Sequence, residues 1–264
     1  MQNKNRDSLN QILKVSIGVC LVCSIFVASS VVALKPIQEK NKLIGKMSTI
    51  VFAAGLLESL DSKFTNIQSL YDQLKVKIID LSTGTPIENQ EEYLNIKQKL
   101  ESKDDSIFEP IPQSQDITGI LKKPKYSFVY ILEYDNKVKT IILPIYGKGL
   151  WSTMYGFLSL DEDLSTVKKI IFYEHGETPG LGGEIDNPNW QKIWVGKKIY
   201  DDNYNLQIEV LKGHVDTNSP NVIHKVDGLS GATLTTKGVN NLIHFWMSED
   251  GFKPFLLNLK KGQR

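Results

Sequence analysis

The sequence predicts an α+β protein with one N-terminal transmembrane helix and a soluble domain that has a mostly antiparallel sheet and flanking helices. Three observations support this prediction: an uncharged apolar segment near the N-terminus, several strand-like runs in the second half, and an amphipathic helical pattern near the end. The 264 residues are enough for one large domain or two small ones. No internal repeat or low-complexity tract is found in the sequence.

The charge balance narrows the class of partner. The chain has 31 basic and 30 acidic side chains, which gives a formal net charge of +1 at pH 7. A nucleic-acid-binding protein would carry a broad basic surface, so we expect no nucleic-acid partner. The two cysteines, Cys20 and Cys23, both lie near the N-terminus, and no disulfide framework can hold the rest of the chain together.

The transmembrane prediction rests on residues 15–34, which read VSIGVCLVCSIFVASSVVAL and carry no charge. A helix of this length spans about 30 Å, the thickness of the hydrocarbon core of a bilayer. A cleaved signal peptide is the competing interpretation, but its apolar core would be shorter, about 7–15 residues. We therefore expect an uncleaved single-pass anchor, preceded by a cytoplasmic N-terminus at 1–14.

The charges that flank this segment do not predict its orientation. Three basic residues precede the segment, and four lysines follow it: Lys35, Lys40, Lys42 and Lys46. The positive-inside rule compares such counts on the two sides of a span. Here it gives no direction for export of the domain.

Residues 35–125 are predicted to form a helical connector followed by a surface excursion. Apolar side chains at helical spacing predict a helix over 38–60, and a second short helix is expected over 64–71. The run VKIIDLSTGTPI, which begins at residue 76, is typical of a strand and turn. Residues 88–125 are polar and contain prolines, so we interpret them as the excursion.

The core of the domain is predicted over 126–264, where strands dominate. Runs rich in β-branched and aromatic residues predict strands over 126–134 and 138–146. The short polar link Asp135-Asn136-Lys137 between them predicts a hairpin. Three further strands are expected, over 156–160, 167–173 and 206–211.

An amphipathic helix is predicted near the end of the chain. Apolar side chains recur there at positions i, i+3, i+4, i+7 and i+8, namely Val239, Leu242, Ile243, Trp246 and Met247. Gly251 and Pro254 are expected to end this helix.

Three glycine-containing clusters follow strand-like runs, so each can lie at a rim of the sheet where loops provide function. They span 147–157, 175–184 (HGETPGLGGE) and 227–236 (DGLSGATLTT). None is a Walker phosphate-binding loop, and GKGLWS breaks the dinucleotide signature GxGxxG after its second glycine. A Rossmann nicotinamide site is therefore not expected.

The third cluster opens the amphipathic helix. Ser230, Gly231, Ala232 and Thr233 supply hydroxyls and small side chains where backbone N–H groups are unpaired. A helix N-terminus favours a phosphate, and the small residues allow its close approach to the backbone. Most helix starts rich in serine and threonine are only caps, so these residues alone leave both a phosphate site and a simple cap open.

The second cluster predicts a tight loop. Its glycines and Pro179 favour such a turn, and Gly182 is expected to need a positive φ. Three side chains in the cluster are capable of proton chemistry, namely His175, Glu177 and Glu184. A lone histidine at the end of a strand is more often a hydrogen-bonded structural residue, so both interpretations stay open for it.

Taken together, these blocks resemble the FMN-binding domain family and, within it, the C subunits of Na+-translocating NADH:quinone oxidoreductases. The resemblance runs along nearly the whole chain. It rests on LVCSIFV in the apolar segment and on the blocks YGKGLWSTMYGFLSLD, HGETPGLGGEI and VDGLSGATLTTKGV. The last block contains the family's flavinylation signature, which here reads Asp227-Gly228-Leu229-Ser230-Gly231-Ala232-Thr233.

The resemblance implies that Thr233 holds FMN covalently through a phosphoester bond. Because a threonine hydroxyl is a poor nucleophile, the family relies on a separate flavin transferase that uses FAD as donor. Ser230, Gly231 and Ala232 would adjoin the phosphate. The isoalloxazine would lie near residues of the other two clusters, with Leu150, Trp151, Thr178, Leu181 and Gly182 as candidates. No catalytic residue and no metal is expected in this chain.

The function implied is that of a membrane-anchored electron-transfer subunit in a translocase that oxidises NADH, reduces quinone and exports Na+. Its partners would be the other subunits, the flavin transferase and the membrane. The resemblance implies a bacterial inner membrane location with a periplasmic domain. Two alternatives stay open: the flavin subunit of an Rnf-type electron-transport complex, and a non-catalytic FMN-binding anchor or sensor. The GLWSTMYGF block and the SGATLTT form favour the C subunit over the Rnf type.

Overall fold

A helix of 45 residues, α1 (Leu9–Ala53), begins the part of the chain described by the structure. The structure is a computed structural model, and it describes residues 9–57 and 66–262. The chain divides into two units, Met1–Lys46 and Met47–Arg264. Large apolar side chains of α1 are exposed from Leu9 to Ile44. Within the described ranges, α1 alone is long and apolar enough to cross a membrane.

The predicted anchor and the first part of the predicted connector helix belong to this one helix. The helix passes through Pro36, which removes one backbone hydrogen bond. Ala33 and Leu34 before the proline, and Gln38 and Glu39 after it, are residues that favour helices. The helix ends at Ala53, earlier than the predicted residue 60.

The second predicted helix, 64–71, is described only in part. Residues 58–65 lie outside the described ranges, and with them the end of the first predicted helix and the start of the second. The described part of the second helix is α2 (Ile67–Tyr71), which the Asn66 side chain caps by accepting a hydrogen bond from the backbone N–H of Ser69.

The second unit is organised around five antiparallel strands. They are β1 (Leu74–Asp80), β4 (Tyr126–Tyr134), β5 (Lys137–Lys148), β6 (Thr153–Asp161) and β7 (Val167–Glu174), and they lie side by side in that order. Between β1 and β4 the chain forms α3 (Gln90–Ser102), β2 (Phe108–Pro110) and β3 (Lys122–Pro124). After β7 come α4 (Pro188–Lys192), β8 (Glu209–Val210), β9 (Lys225–Val226), α5 (Thr233–Trp246) and α6 (Lys253–Gly262).

The predicted hairpin is confirmed, and its turn explains the polar link. Tyr134 pairs with Lys137, so only Asp135 and Asn136 form the loop. Both have positive φ, 50° and 59° respectively. Two consecutive residues of this kind are typical of a type I′ turn, whose twist matches that of the strands it joins.

Both faces of the sheet are buried, which explains why β5 and β6 are so continuously apolar. Successive side chains of a strand point to opposite faces. Leu143 and Ile145 of β5 therefore lie in a first core with α5, whereas Ile142 lies in a second core. Ile50 and Ala53, from the last turns of α1, pack in that second core.

The region predicted as a polar excursion, 88–125, contains regular structure. The helix α3 begins after Asn89, whose side chain accepts hydrogen bonds from the N–H groups of Glu91 and Glu92, both at 3.0 Å. The two short strands β2 and β3 pair with each other. The strand β1 also precedes the predicted core of 126–264, and it pairs along its whole length with β4.

The strand predicted over 206–211 is much shorter in the structure, where only Glu209–Val210 forms β8. The backbone groups around β8 form hydrogen bonds with loop residues and with a side chain instead of with a neighbouring strand. The N–H of Ile208 donates to the carbonyl of Ile199, and the N–H of Val210 donates to the Asn240 side chain at 2.9 Å. The prediction was wrong here because β propensity does not specify which partner a backbone group finds.

The amphipathic helix is confirmed as α5, but the chain does not remain irregular after it. Pro254 is the second residue of α6 rather than a stop signal. A proline is tolerated in the first turn of a helix because N–H groups there have no partner within the helix. Gly251 allows the turn between the two helices, since a Cβ there would lie 2.3 Å from the carbonyl oxygen of Trp246.

Candidate functional site

The three glycine-containing clusters meet at the carboxylate of Glu177. This residue is only 4% exposed. It accepts hydrogen bonds from the backbone N–H groups of Leu150, Trp151 and Ser152, at 3.0, 2.9 and 3.1 Å. It also accepts one from the hydroxyl of Thr235, in the first turn of α5, at 2.6 Å. One carboxylate therefore joins the loop after β5, the loop after β7 and the start of α5.

Two glycines make room for this carboxylate. A Cβ on Gly149 would lie 2.6 Å from Oε1 of Glu177. A Cβ on Gly182 would lie 2.4 Å from Oγ1 of Thr235 and 3.0 Å from Oε2 of Glu177. The expectation that Gly182 needs a positive φ was wrong, because the positive φ in this loop belongs to Gly180, at 75°. Gly182 is a glycine because α5 approaches it closely.

Glu177 is held in its ionised form. Burial acts to raise the pKa of this carboxyl group, since it penalises the charge. The hydrogen bonds from Thr235 and from the three backbone N–H groups outweigh burial and keep the pKa below its ordinary value. The negative charge is thus stabilised by four neutral donors.

The start of α5 places three threonines in different environments. Thr235 and Thr236 are buried, at 1% and 3% exposure. The hydroxyl of Thr235 binds Glu177, and that of Thr236 accepts a hydrogen bond from the N–H of Leu229 at 3.0 Å. Thr233 is exposed, and its hydroxyl has no hydrogen-bond partner among the residues the structure describes. Of the three threonine hydroxyls, only that of Thr233 can be reached directly by a ligand.

The residues before Thr233 leave the helix start open. Ala232 occupies the N-cap position, and its side chain cannot accept a hydrogen bond from the first turn. Ser230 and Gly231 are exposed, and Gly231 has a positive φ of 71°. A Cβ on Gly231 would lie 3.2 Å from Cδ2 of Leu181, which places the second cluster beside the helix start.

Large apolar side chains are exposed in the loops that Glu177 joins. Leu150 is 47% exposed, Trp151 71% and Leu181 45%. Thr178 is also exposed, and its carbonyl accepts hydrogen bonds from the N–H groups of Leu181 and Gly183. Exposed apolar side chains on backbone that is held by hydrogen bonds suit a flat apolar ligand.

Comparison with known proteins identifies the family. The family model for the FMN-binding domain matches residues 149–248. The C subunit of the Na+-translocating NADH-quinone reductase of Pseudomonas aeruginosa is 46% identical over 261 residues, which cover 98% of this chain and 99% of the relative. The chain belongs to the family of these C subunits. The corresponding C subunit of Neisseria meningitidis serogroup A is 41% identical over 260 residues, covering 98% of this chain and 97% of the relative.

Solved structures support the same assignment. NqrC of Shewanella oneidensis aligns with a TM-score of 0.70 at 29% identity, covering 85% of this chain and 99% of that one. The C subunit of the Na+-translocating NADH-quinone reductase of Parabacteroides distasonis aligns with a TM-score of 0.60 at 24% identity, covering 84% and 96%, and shows the fold alone. The resemblance to C subunits of Na+-translocating NADH-quinone reductases is therefore confirmed.

The residues present fit FMN as the cofactor. The matched segment 149–248 contains all four groups that bind Glu177, as well as the start of α5. The uncapped helix start at Thr233 provides unpaired backbone N–H groups, which are the donors that a phosphate requires. A flavin ring requires exposed apolar side chains, which Leu150, Trp151 and Leu181 provide.

The Asp227 of the flavinylation signature has a structural role. Its carboxylate accepts a hydrogen bond from the N–H of Val215, at 2.8 Å, and lies 3.1 Å from Nδ1 of His214. Its carbonyl accepts one from the indole N–H of Trp190 at 2.9 Å. Burial acts to raise the pKa of Asp227, but the bonds from Val215 and His214 keep the pKa below its ordinary value. The aspartate thus fixes the segment that leads to α5.

The other titratable side chains of the second cluster are structural. Nδ1 of His175 accepts a hydrogen bond from the N–H of Glu177 at 3.1 Å. The ring N–H is therefore at Nε2, which donates a hydrogen bond to the Asp186 carboxylate at 2.7 Å. Glu184 accepts a hydrogen bond from the Asn187 side chain. Glu177 was predicted from the sequence as a candidate for proton chemistry, but its hydrogen-bond partners were not, because three of them are backbone groups and Thr235 is 58 residues away.

Proposed function

We propose that this chain holds FMN covalently on Thr233 and relays electrons as the membrane-anchored C subunit of a Na+-translocating NADH:quinone reductase. One observation supports the attachment site above all. Among the three threonines at the start of α5, only Thr233 has an exposed hydroxyl without a partner among the described residues, while Thr235 and Thr236 are buried and hydrogen-bonded.

The residues of this chain bind and orient the cofactor. Oγ1 of Thr233 holds the phosphate, and the unpaired N–H groups and dipole of α5 stabilise its negative charge. Gly231 has no side chain to obstruct the phosphate, and Ser230 offers a hydroxyl beside it. Leu150, Trp151 and Leu181 shield the ring from water. FMN, once bound, supplies the redox chemistry; the protein supplies position and electrostatic environment.

We propose that a separate flavin transferase transfers FMN from FAD to the hydroxyl of Thr233, so that the phosphoester bond forms as the pyrophosphate bond of FAD breaks and AMP leaves. A threonine hydroxyl needs a nearby base to become a good nucleophile. Glu177, the buried carboxylate of the site, binds the hydroxyl of Thr235 instead. The exposure of Thr233 lets a second enzyme reach it from solvent.

We also propose that the anchor holds the chain in the inner membrane, with the domain on the periplasmic side. Residues 15–34 of α1 carry no charge and match the thickness of a bilayer. A single helix cannot enclose an ion pathway, so the export of Na+ belongs to the other subunits. A reporter enzyme that works only after export, fused after Arg264, should be active. Activity of a matched reporter that works only in the cytoplasm would contradict this orientation.

Mass spectrometry tests the attachment. The chain is purified from cells that contain the transferase, and its mass should exceed the sequence mass by one FMN residue. Peptide mapping should place the added mass on Thr233. The same chain from cells without the transferase is the control and should have the unmodified mass. Flavin on Thr235 or Thr236, or an unmodified Thr233 in the presence of the transferase, would refute the proposed site.

A further inference from the structure

We infer that Glu177 is a positioning residue for the flavin. Its carboxylate connects the loop after β5 and the loop after β7 to the start of α5 before the cofactor is bound. We call Glu177 and its four donors the carboxylate bridge; the donors are the N–H groups of Leu150, Trp151 and Ser152 and the hydroxyl of Thr235. This inference rests on the proposed attachment of FMN at Thr233.

Each of the two carboxylate oxygens of Glu177 accepts two of the four hydrogen bonds. Oε1 accepts the N–H groups of Trp151 and Ser152, which lie in the loop after β5. Oε2 accepts the N–H of Leu150 and the hydroxyl of Thr235. The second oxygen therefore connects the loop after β5 directly to the first turn of α5. Glu177 itself belongs to the loop after β7, so three separate segments share one carboxylate.

Only a carboxylate satisfies this arrangement. Three consecutive N–H groups that point at one place form a site for an anion. An ionised carboxylate accepts at both oxygens, whereas a glutamine side chain replaces one acceptor with an N–H₂ donor. That donor would face the N–H of Leu150. The surrounding space admits no larger group, since a Cβ on Gly149 would already lie 2.6 Å from Oε1.

The bridge holds residues that the hydrophobic cores do not hold. The side chains of Leu150, Trp151 and Leu181 are exposed, so their own burial contributes little to the position of the loops. A buried charge costs free energy, and an apolar replacement is often neutral or stabilising where only the fold is concerned. A buried carboxylate that orders exposed apolar side chains is therefore explained by the ligand those side chains receive.

The test compares four variants of the full chain in detergent. Glu177→Gln removes the charge and one acceptor with little change in volume. Glu184→Gln is the matched control in the same loop, because the only described hydrogen bond of the Glu184 side chain is with the Asn187 side chain. Thr235→Val removes only the connection to α5, and Thr235→Ser keeps the hydroxyl and should behave as wild type.

Two measurements are made on each variant. The first is amide hydrogen exchange at Leu150, Trp151 and Ser152 in chain made without the transferase. The loss of a hydrogen bond to a charged acceptor should speed exchange about tenfold in Glu177→Gln. The second is the visible circular dichroism of FMN in chain made with the transferase, which reports how firmly the ring is held. It should weaken in Glu177→Gln and Thr235→Val relative to Glu184→Gln and Thr235→Ser, at a temperature where all four variants are folded.

The outcomes separate this inference from the proposed attachment. Wild-type exchange and wild-type dichroism in Glu177→Gln would overturn the inference, as would an equal effect of Glu184→Gln. If Glu177→Gln does not fold, Thr235→Val decides: dichroism weaker than in Thr235→Ser supports the inference, and equal dichroism overturns it. Wild-type chain that lacks flavin on Thr233 would refute the attachment, while exchange in the flavin-free chain still tests the bridge.

Discussion

The first turn of α5 contains the same side chain in two opposite environments. Thr235 and Thr236 lie on the buried stripe that continues through Val239 and Leu242, and their hydroxyls have partners inside the protein. Thr233 lies just off that stripe and is exposed. Three hydroxyls of equal intrinsic reactivity thus have different uses. The buried two hold the loops around the site, and the exposed one is free to accept a cofactor.

This difference shows why a motif alone is ambiguous and a structure is not. The segment SGATLTT offers a serine and three threonines within seven residues. A buried hydroxyl that leaves its partner costs free energy, so Thr235 and Thr236 are poor acceptors for a bulky group. Substitutions at four positions test this difference between the exposed and the buried threonines. In decreasing order of expected effect, they are at Thr233, at Gly182, which packs against Thr235, at Thr236 and at Ser230.

Thr233→Ala should have the largest effect. It removes the one exposed hydroxyl of the three, so no covalent flavin should remain on a denaturing gel. Because the side chain is exposed and has no described hydrogen-bond partner, the free energy of unfolding should change by less than about 0.5 kcal/mol. Flavin fluorescence that persists on the denatured variant would show that Thr235 or Thr236 accepts FMN, and the comparison would fail.

Gly182→Ala should disturb the contact of the buried Thr235 with Glu177. The new Cβ would lie 2.4 Å from Oγ1 of Thr235, so the bridge to α5 must shift. We expect a loss of about 1–3 kcal/mol in the free energy of unfolding and an altered flavin absorbance spectrum, with attachment at Thr233 retained.

Gly213→Ala is the matched control for Gly182→Ala. A Cβ there meets no other atom within 4 Å. Urea unfolding and absorbance spectra of the two variants measure both effects. Equal behaviour of the two variants would mean that the close approach of Gly182 to α5 has no consequence for the flavin.

Thr236→Val tests whether the buried Thr236 only stabilises the loop at Leu229 or also takes part in the attachment of FMN. The substitution leaves the buried N–H of Leu229 without its acceptor, which should cost about 1–3 kcal/mol of stability. Thr236→Ser keeps the hydroxyl and should lose less. Flavin content per chain should stay at the wild-type level in both variants at a temperature where they are folded. A stable Thr236→Val chain without flavin would instead assign Thr236 a direct part in attachment.

The local elements of this fold were predictable from the sequence, and the long-range ones were not. The hairpin at Asp135 and Asn136 follows from two residues that tolerate positive φ between two runs rich in β-branched and aromatic residues. The helix α5 follows from its apolar spacing. In contrast, a proline such as Pro254 can follow the end of one helix or lie in the first turn of the next. Only the position of α6 shows which of the two applies.

The candidate site was predictable in its outline only. Its three clusters stood out because glycines and hydroxyls follow strands, and the family resemblance named Thr233. The bridge was not predictable, since the N–H groups that bind Glu177 belong to the backbone and have no signature in the sequence. The expectation of a positive φ at Gly182 was also wrong. A glycine can be needed either for a positive φ or for the close approach of another segment, and the sequence does not distinguish these two reasons.

Ser230→Ala should have the smallest effect, and it tests the exposed side of the comparison without touching the attachment itself. Ser230 lies three residues before Thr233, is exposed, and makes no side-chain hydrogen bond to another described residue. Its hydroxyl therefore has nothing to stabilise in the flavin-free chain. Beside a phosphate it could donate one hydrogen bond, worth about 0.5–1.5 kcal/mol.

The yield of attachment at limiting transferase should then fall about two- to tenfold in Ser230→Ala, while the spectrum of the attached flavin stays at the wild-type form. Thr217→Ala, which removes an exposed hydroxyl outside the site, is the control and should leave the yield unchanged. The two quantities should separate if FMN is attached as proposed, because the hydroxyl of Ser230 would then lie at the phosphate end, whereas the loops that the carboxylate bridge fixes would hold the ring. A changed spectrum at full yield would reverse this assignment and place Ser230 against the ring.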